Sequence, residues 1–381
     1  MTASLHDEIR DLARQILAGK PGAGLDGELA AAGLLGLEIP EAYGGGGGSF
    51  PELAVVLEVL GEHAATSALP STVLAAAALA LAGSEPQRAR WLPRLADGTL
   101  RATVALTPYL TPTPTPTGGG ERAAEDGYAA SSDQACGQGS VGRVIGVRGE
   151  SGWRLSGRVA DVLDARAAGL LVIPARTAEG WLVALVEAGT PGLAVTARPL
   201  TDETRCLDDL ALDELAVADA DVLAIGGEAA RLLGALVNRA AVAVTADSVG
   251  VARRVLDMTV EYVRRRHQFG RSIGSFQAVK HKAADMFVDL ETASALVEEA
   301  VRLVALDPFT CDVAVSLAKD HACELAARDA GVALQLHGGI GYTWEYDLHR
   351  YFKRALLNEH LVGAPAWHRT RTLQGLPLPP V

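Results

Sequence analysis

The chain has 381 residues, of which 49% are hydrophobic and only 5% aromatic. This length is enough for two or three domains around a large buried interior, and the excess of aliphatic over aromatic residues is typical of a helical protein. The formal net charge of −12 argues against nucleic acid or an anionic membrane surface as the main partner.

The first segment is predicted to be an amphipathic helix. Leu5, Ile9, Leu12 and Ile16 recur at helical spacing and are expected to form its buried face. The segment lacks the basic and apolar pattern of a signal sequence, and no apolar run approaches the length of a membrane span. We therefore expect a cytoplasmic protein.

Five glycines at 44–48 interrupt the helical pattern before a second helix. Ser49 is suited to cap that helix, and Pro51 is suited to its first turn. A phosphate-binding loop is not the favoured explanation of the glycines, because the Lys-Ser/Thr pair that contacts phosphate and metal is missing. Residues 75–82 continue as a helix of small side chains.

The pattern changes from helical to strand-like near residue 101. Short strands separated by turn residues are predicted at 103–106, 144–147, 153–155, 170–173, 181–186 and 193–195. Within this region, residues 107–139 are rich in Pro, Thr and Gly, and we expect most of this loop to be flexible because it offers few ladder donors and no apolar face.

The helical pattern returns near Gly226 and continues to the end of the chain. Two apolar stripes begin at Val251 and Val279, and a third long helix is predicted near 310–336. Long helices joined by short turns are typical of a bundle. The four cysteines lack CxxC spacing, so neither a disulfide framework nor a metal site is predicted.

Two motifs in the C-terminal part carry the chemistry. Residues 264–277 read RRRHQFGRSIGSFQ, and residues 335–363 read QLHGGIGYTWEYDLHRYFKRALLNEHLVG. A guanidinium fork matches a diphosphate, whereas three adjacent arginines alone would more often be a solvated helix end. Together and in this order, the motifs resemble the signatures of the acyl-CoA dehydrogenase family. The resemblance implies FAD as the cofactor and six residues for its nucleotide half: Arg266, Phe269, Gln277, Gln335, Gly338 and Gly339.

The family's catalytic glutamate has no counterpart in this chain. Val362 stands where the family carries its base, and Ala240 stands where a minority of members carry it on an earlier helix. A carboxylate is required because an α-proton leaves the acyl thioester while the β-hydrogen leaves as hydride to flavin. Glu359 is the remaining candidate for a displaced base, although a structural role is favoured for it. Asp247 is expected to lie too far away.

The family's contacts to the flavin ring are also missing. A Thr-Glu-Pro loop is replaced by Thr107 and Pro108, and a Trp-Ile-Thr turn is replaced by Ala160, Asp161 and Val162. His337 is interpreted as a packing residue, and Glu345 and Asp347 as residues of a capped turn. By resemblance, the chain retains the nucleotide half of the flavin site and lacks the ring half.

The resemblance implies an α+β fold with an N-terminal α-helical domain at 1–98, a β-barrel-like domain at 99–222 and a C-terminal four-helix bundle at 223–381. It further implies α,β-dehydrogenation of an acyl-CoA, in fatty acid β-oxidation or steroid catabolism, with electron-transfer flavoprotein as a further partner. The pattern resembles the non-catalytic subunits of actinobacterial α2β2 acyl-CoA dehydrogenases. The preferred interpretation is a subunit that completes the FAD site of a glutamate-bearing partner. The alternative is a self-sufficient homo-oligomeric flavoprotein with a displaced base.

Overall fold

The computed structural model describes residues 2–19, 24–110 and 142–376. Of the loop predicted to be flexible, only its first residues, Thr107–Leu110, are described, and they form a short helix, α6. The rest of that prediction lies outside the described residues. The domain limits given above stay a prediction.

The N-terminal region is helical. Its α-helices are α1 (Thr2–Gly19), α2 (Leu25–Ala31), α3 (Phe50–Glu62), α4 (Leu69–Ala82) and α5 (Glu85–Ala96). As predicted, Ser49 caps α3: its backbone N–H donates to the Glu52 carboxylate at 2.9 Å, which closes a capping box. This contact fixes where the chain leaves the glycine-rich turn.

The predicted buried face of α1 is partly wrong. Ile9 is buried, but Leu5 and Leu12 are 45% and 39% exposed. The buried stripe continues instead through Ala13 and Leu17. The helix is rotated relative to the predicted orientation, because two of its arginines pair with acidic residues of α3. The pairs are Arg10–Glu58 at 3.1 Å and Arg14–Glu62 at 2.9 Å.

In the described part of the middle region, the strands form one mixed sheet of eight. They are β1 (Ala102–Val104), β2 (Arg143–Gly149), β3 (Gly152–Leu163), β4 (Leu170–Thr177), β5 (Gly180–Glu187), β6 (Leu193–Arg198), β7 (Leu207–Val217) and β8 (Val222–Ile225). The order is β6-β7-β3-β2-β4-β5-β8, with β1 parallel to β4. The sequence did not predict β7, because acidic residues interrupt the alternation of apolar and polar side chains that indicates a strand. One of them, Asp208, is fully buried and accepts a hydrogen bond from Arg166 Nε at 2.6 Å.

The C-terminal region is a helical bundle. It comprises α7 (Gly226–Arg265), α8 (Gln277–Leu306), α9 (Asp312–His337), α10 (Leu348–His360) and α11 (Pro365–Gly375), with a two-stranded hairpin of β9 (His267–Gln268) and β10 (Arg271–Ser272) after α7. Among the described helices, α7 alone has the length and hydropathy of a membrane span. Because 89% of its apolar window is buried inside the protein, α7 is a core helix.

The helices α3 and α7 cross with their backbones in contact. A Cβ atom at Gly61 would lie 2.0 Å from the carbonyl oxygen of Asp247, and one at Gly250 would lie 1.9 Å from that of Glu58. Only glycine permits this approach at either position. The crossing brings the N-terminal helices against the centre of the bundle.

A buried ionic cluster joins the three regions beside this crossing. Arg354 of α10 donates two hydrogen bonds to Asp247 of α7, at 2.9 and 2.5 Å, and one to the carbonyl oxygen of Ala65 at 2.9 Å. Arg205, which precedes β7, lies 3.1 Å from the same carboxylate, and Asn358 donates to it at 2.7 Å. Burial alone would raise the pKa of Asp247, but the guanidinium groups outweigh it and lower the pKa to about 2.

Candidate functional site

The hairpin after α7 presents the first motif to solvent. Its two turn residues, Phe269 and Gly270, have φ values of 56° and 78°, as expected for a two-residue hairpin turn that follows the twist of the strands. The Phe269 side chain is 90% exposed. Non-glycine residues with positive φ are uncommon, and so are aromatic rings with this much exposure. Their combination at Phe269 is typical of a binding position.

The second motif lies beside the hairpin. His337, the last residue of α9, stacks on Tyr262 of α7 with ring centroids 4.4 Å apart, and the Tyr262 hydroxyl donates to its carbonyl oxygen at 3.2 Å. Burial lowers the pKa of His337, and its Nδ1 lies 2.8 Å from the carbonyl oxygen of Ala333. This geometry is that of a packing residue, which holds the two motifs side by side.

All six residues predicted to contact the nucleotide are exposed and lie at this one end of the bundle: Arg266, Phe269, Gln277, Gln335, Gly338 and Gly339. Within the described ranges, no carboxylate lies within ion-pair distance of Arg266. Two glutamines, a free guanidinium, an aromatic ring and a Gly-Gly turn are suited to a dinucleotide that arrives from outside the chain.

The positions of the family's base lie far from this end. Ala240 is 25 residues before Arg265 on α7, which corresponds to about 38 Å along the helix axis. Ala240 and Val362 line an apolar cavity of about 80 Å³. Val362 also lines a cleft of about 1650 Å³ between the sheet and helices α10 and α11. The cavity and the cleft share a thin wall formed by Thr107, Leu110, Asp161, Leu361 and Val362.

The turn that faces this wall does not fit a flavin ring. A bulge interrupts β3 between Val159 and Val162, and Asp161 within it has a φ of 59° and pairs with Arg198. Val162 stands at the position of the family's threonine, and its side chain offers no hydrogen-bond donor for flavin N5. The Thr107 hydroxyl donates to the carbonyl oxygen of Ala160 at 2.7 Å. The two segments that contact the ring in the family thus bind each other here.

The backbone at the base position is held firmly although the base is absent. Val362 has a φ of 59°, which is strained for a β-branched residue. Its carbonyl oxygen lies 2.9 Å from His368 Nε2, and burial, followed by the charge of Lys319, lowers the pKa of His368 to about 3. Lys319, itself buried, donates to the carbonyl oxygens of Asn358 and Glu359 at 3.0 and 3.2 Å. These contacts fix the turn, but the Val362 side chain cannot take a proton.

Sequence reasoning missed Lys319 and His368 as supports of this turn. A signal for Lys319 was present, because it lies on the apolar stripe of α9 between Val315 and Ala322. A lysine on such a stripe needs buried acceptors. The carbonyl oxygens of Asn358 and Glu359, in the last turn of α10, are these acceptors.

None of the candidate substitute bases is placed to act at the cavity. Among the described residues that line the cavity, Asp161 carries the one carboxylate, and Glu359 lines neither the cavity nor the cleft. Asp247 is held in the buried ionic cluster. The predicted capping role of Asp347 is wrong: its side chain makes no cap hydrogen bond to α10 and lies 3.6 Å from Arg350.

Comparison with known proteins identifies the family. Residues 3–99 match the profile of the acyl-CoA dehydrogenase N-terminal domain, and residues 230–376 match that of the C-terminal domain. The chain is 35% identical to the acyl-CoA dehydrogenase FadE27 of Mycobacterium tuberculosis over 346 residues, which cover 88% of this chain and 83% of that protein. The chain belongs to the acyl-CoA dehydrogenase family. Acyl-CoA dehydrogenases are FAD-binding oxidoreductases that act on CH–CH bonds.

Solved acyl-CoA dehydrogenase structures agree with the fold. The ChsE4-ChsE5 complex from Mycobacterium tuberculosis matches with a TM-score of 0.84 and 30% identity, covering 99% of this chain and 98% of that chain. The steroid acyl-CoA dehydrogenase Tcur3481-Tcur3483 matches with a TM-score of 0.83 and 29% identity, covering 98% of both chains. The predicted fold class, with helical, sheet and helical regions in this order, is confirmed.

Proposed function

We propose that this chain is the non-catalytic subunit of a heteromeric acyl-CoA dehydrogenase and completes the FAD site of a second, glutamate-bearing chain. The proposal rests on the distance between the predicted nucleotide contacts and the position of the base. The residues predicted to contact the nucleotide are exposed at one end of α7, whereas Ala240, about 38 Å away along the helix axis, lines one cavity with Val362, where the base belongs. The partner contributes the base and the ring contacts, and this chain contributes the nucleotide contacts.

Each of these residues has a defined task toward the partner's cofactor. The Arg266 guanidinium binds the diphosphate, and the exposed Phe269 ring covers an apolar face of the nucleotide. Gln277 and Gln335 donate and accept hydrogen bonds, and the Gly338-Gly339 pair permits close approach of the backbone. FAD, when bound, accepts the hydride from the β-carbon of the acyl-CoA.

The acyl group binds in the partner and not in this chain. The cavity beside Val362 measures about 80 Å³. A cavity of about 150 Å³ can hold benzene, and this cavity is about half that size, so it does not by itself hold a ring-sized acyl group. The similarity to a steroid acyl-CoA dehydrogenase and to the ChsE4-ChsE5 complex supports a steroid side-chain CoA ester as the substrate of the complex. Electron-transfer flavoprotein is proposed to reoxidise the flavin, in the cytoplasm.

Restoring a carboxylate in this chain is not expected to create a second active site. Val362→Glu supplies a base, but the Ala160 and Val162 positions still offer neither a stacked ring nor a donor for N5. Glu359→Gln is expected to leave turnover unchanged, because Glu359 does not line the cavity among the described residues. Both are checked by acyl-CoA-dependent dye reduction, with this chain alone and with the complex. FAD-dependent turnover by the chain alone that is lost in Glu359→Gln would contradict the proposal.

A further inference from the structure

Two carboxyl groups meet at the contact between α8 and α9. Asp289 of α8 is partly buried, and Asp329 of α9 is only 4% exposed. The two side chains lie within hydrogen-bond reach of each other. Arg328 pairs with Asp289, and its Nε lies 3.5 Å from the Asp329 carboxylate. The contact between the two helices therefore contains two acidic groups and one cation.

One arginine does not balance both carboxylates. The Arg328 side chain is about half exposed, so solvent screens its charge, whereas Asp329 is enclosed by protein. Two ionised carboxylates at this distance repel each other, and one shared proton converts the repulsion into a hydrogen bond. Burial, followed by the charge of Asp289, raises the pKa of Asp329 to about 7. The pair therefore gains or loses its proton near neutral pH.

The surroundings of the pair do not offer a second counter-charge. The charged groups that act most strongly on Asp329 are Asp289 from α8 and Arg328 from its own helix. Within the described residues, the ion pairs of these three side chains include no residue of α7 or α10. The buried residues nearby on the two helices are apolar: Met286, Leu290, Ala293, Ala326, Ala330 and Ala333. Loss of the proton thus adds a negative charge to an apolar helix contact, which is unfavourable.

We propose that Asp289, Arg328 and Asp329 form a proton-linked lock between α8 and α9, in which a shared proton closes the contact and loss of that proton loosens it. Gln277 is the first residue of α8, and Gln335 lies in the last turn of α9. The lock therefore acts on the spacing of two residues predicted to contact the nucleotide, and FAD retention should weaken as the pH rises through neutrality. This consequence for FAD rests on the proposed function, whereas the lock itself does not.

The stability of the chain alone tests the lock. Asp329→Asn replaces the buried acid by an amide that stays neutral and donates to Asp289. Because the folded-state pKa of about 7 lies above the usual 3.8, the wild type loses stability as the pH rises from the lower value through the higher one. The variant lacks this loss, so its urea midpoint should rise relative to wild type between pH 5 and 8 and then stay level.

The control for this variant is Asp285→Asn, at an exposed position of the same helix. Its difference from wild type should stay constant over the same pH range. A difference between Asp329→Asn and wild type that is the same at pH 5 and pH 8 overturns the lock.

Hydrogen exchange of the wild type gives a second test that needs no variant. After correction for the intrinsic pH dependence of exchange, peptides from 286–293 and 326–333 should exchange at least about threefold faster at pH 8 than at pH 6. Peptides from α3 should not change. An equal response in all three segments overturns the lock.

The complex tests the link to the cofactor. The FAD dissociation constant of the wild-type complex should rise between pH 6 and pH 8, and that of Asp329→Asn should rise less. The same rise in both overturns the link to FAD, and the unfolding and exchange results still decide the lock. Failure to form a complex with any Glu-Gly-Thr-bearing chain overturns the proposed function and leaves these two results standing.

Discussion

Arg266→Ala is expected to weaken FAD retention by the complex by about tenfold to a hundredfold while the two chains stay associated. The variant removes charge-assisted hydrogen bonds to a diphosphate, which typically contribute about 1.5–3 kcal/mol. Because Arg266 is exposed and unpaired within the described residues, its loss should not destabilise this chain itself. FAD titration of the flavin-depleted complex measures the effect.

The adjacent arginine is the control for this variant. Arg265 lies one residue earlier and pairs with Glu261 across one turn of α7. Arg265→Ala removes the same formal charge, so it should reproduce only the long-range part of the effect. Equal losses of FAD affinity in the two variants would show that the positive charge at this end of α7 holds the nucleotide, and not direct hydrogen bonds from the Arg266 guanidinium.

Breaking the buried ionic cluster is expected to have the largest effect on stability. Asp247→Asn removes the carboxylate that pairs with the buried guanidinium groups of Arg354 and Arg205, and losing one partner of a buried pair costs about 3–5 kcal/mol. Urea unfolding at neutral pH measures this loss. Arg302→Ala, which breaks an exposed pair with Glu299, should leave the unfolding midpoint unchanged.

The same cluster has a defined pH dependence. The folded-state pKa of Asp247 is lowered to about 2, below the usual value near 3.8, so its contribution to stability is complete above the higher value. It is lost as the pH falls from the higher value through the lower one. The difference between wild type and Asp247→Asn should therefore shrink under acid. A difference that stays constant between pH 7 and strong acid would contradict the role of this ion pair.

Local signals in the sequence predicted much of the fold. Ser49 and Pro51 marked the start of α3, and the change of period near Gly226 marked the start of α7. The sequence did not predict β7, because Asp208 becomes an acceptable core residue only through Arg166, which is 42 residues away in the chain. Asp247 and its partner Arg354, 107 residues apart, could not be paired from spacing alone.

The candidate site was predictable to a similar extent. Motif resemblance supplied the six residues that are predicted to contact the nucleotide, and it showed that neither Val362 nor Ala240 is a carboxylate. It did not show that the six residues are exposed at the same end of the bundle, because their exposure depends on the C-terminal ends of α7 and α9 lying next to each other. The strained turn at Val362, held by Lys319 and His368, also depends on contacts that sequence spacing does not reveal.

The flavin stoichiometry of the purified proteins tests the division of labour most directly. Absorbance of released flavin is measured for this chain alone and for its complex with a Glu-Gly-Thr-bearing chain, in both cases against protein concentration. The account predicts a colourless chain alone and about one FAD per heterodimer, because each complete site needs the ring contacts of one chain and the nucleotide contacts of the other. A homo-oligomer of this chain that holds FAD in equal molar amount and loses its turnover in Glu359→Gln would contradict it.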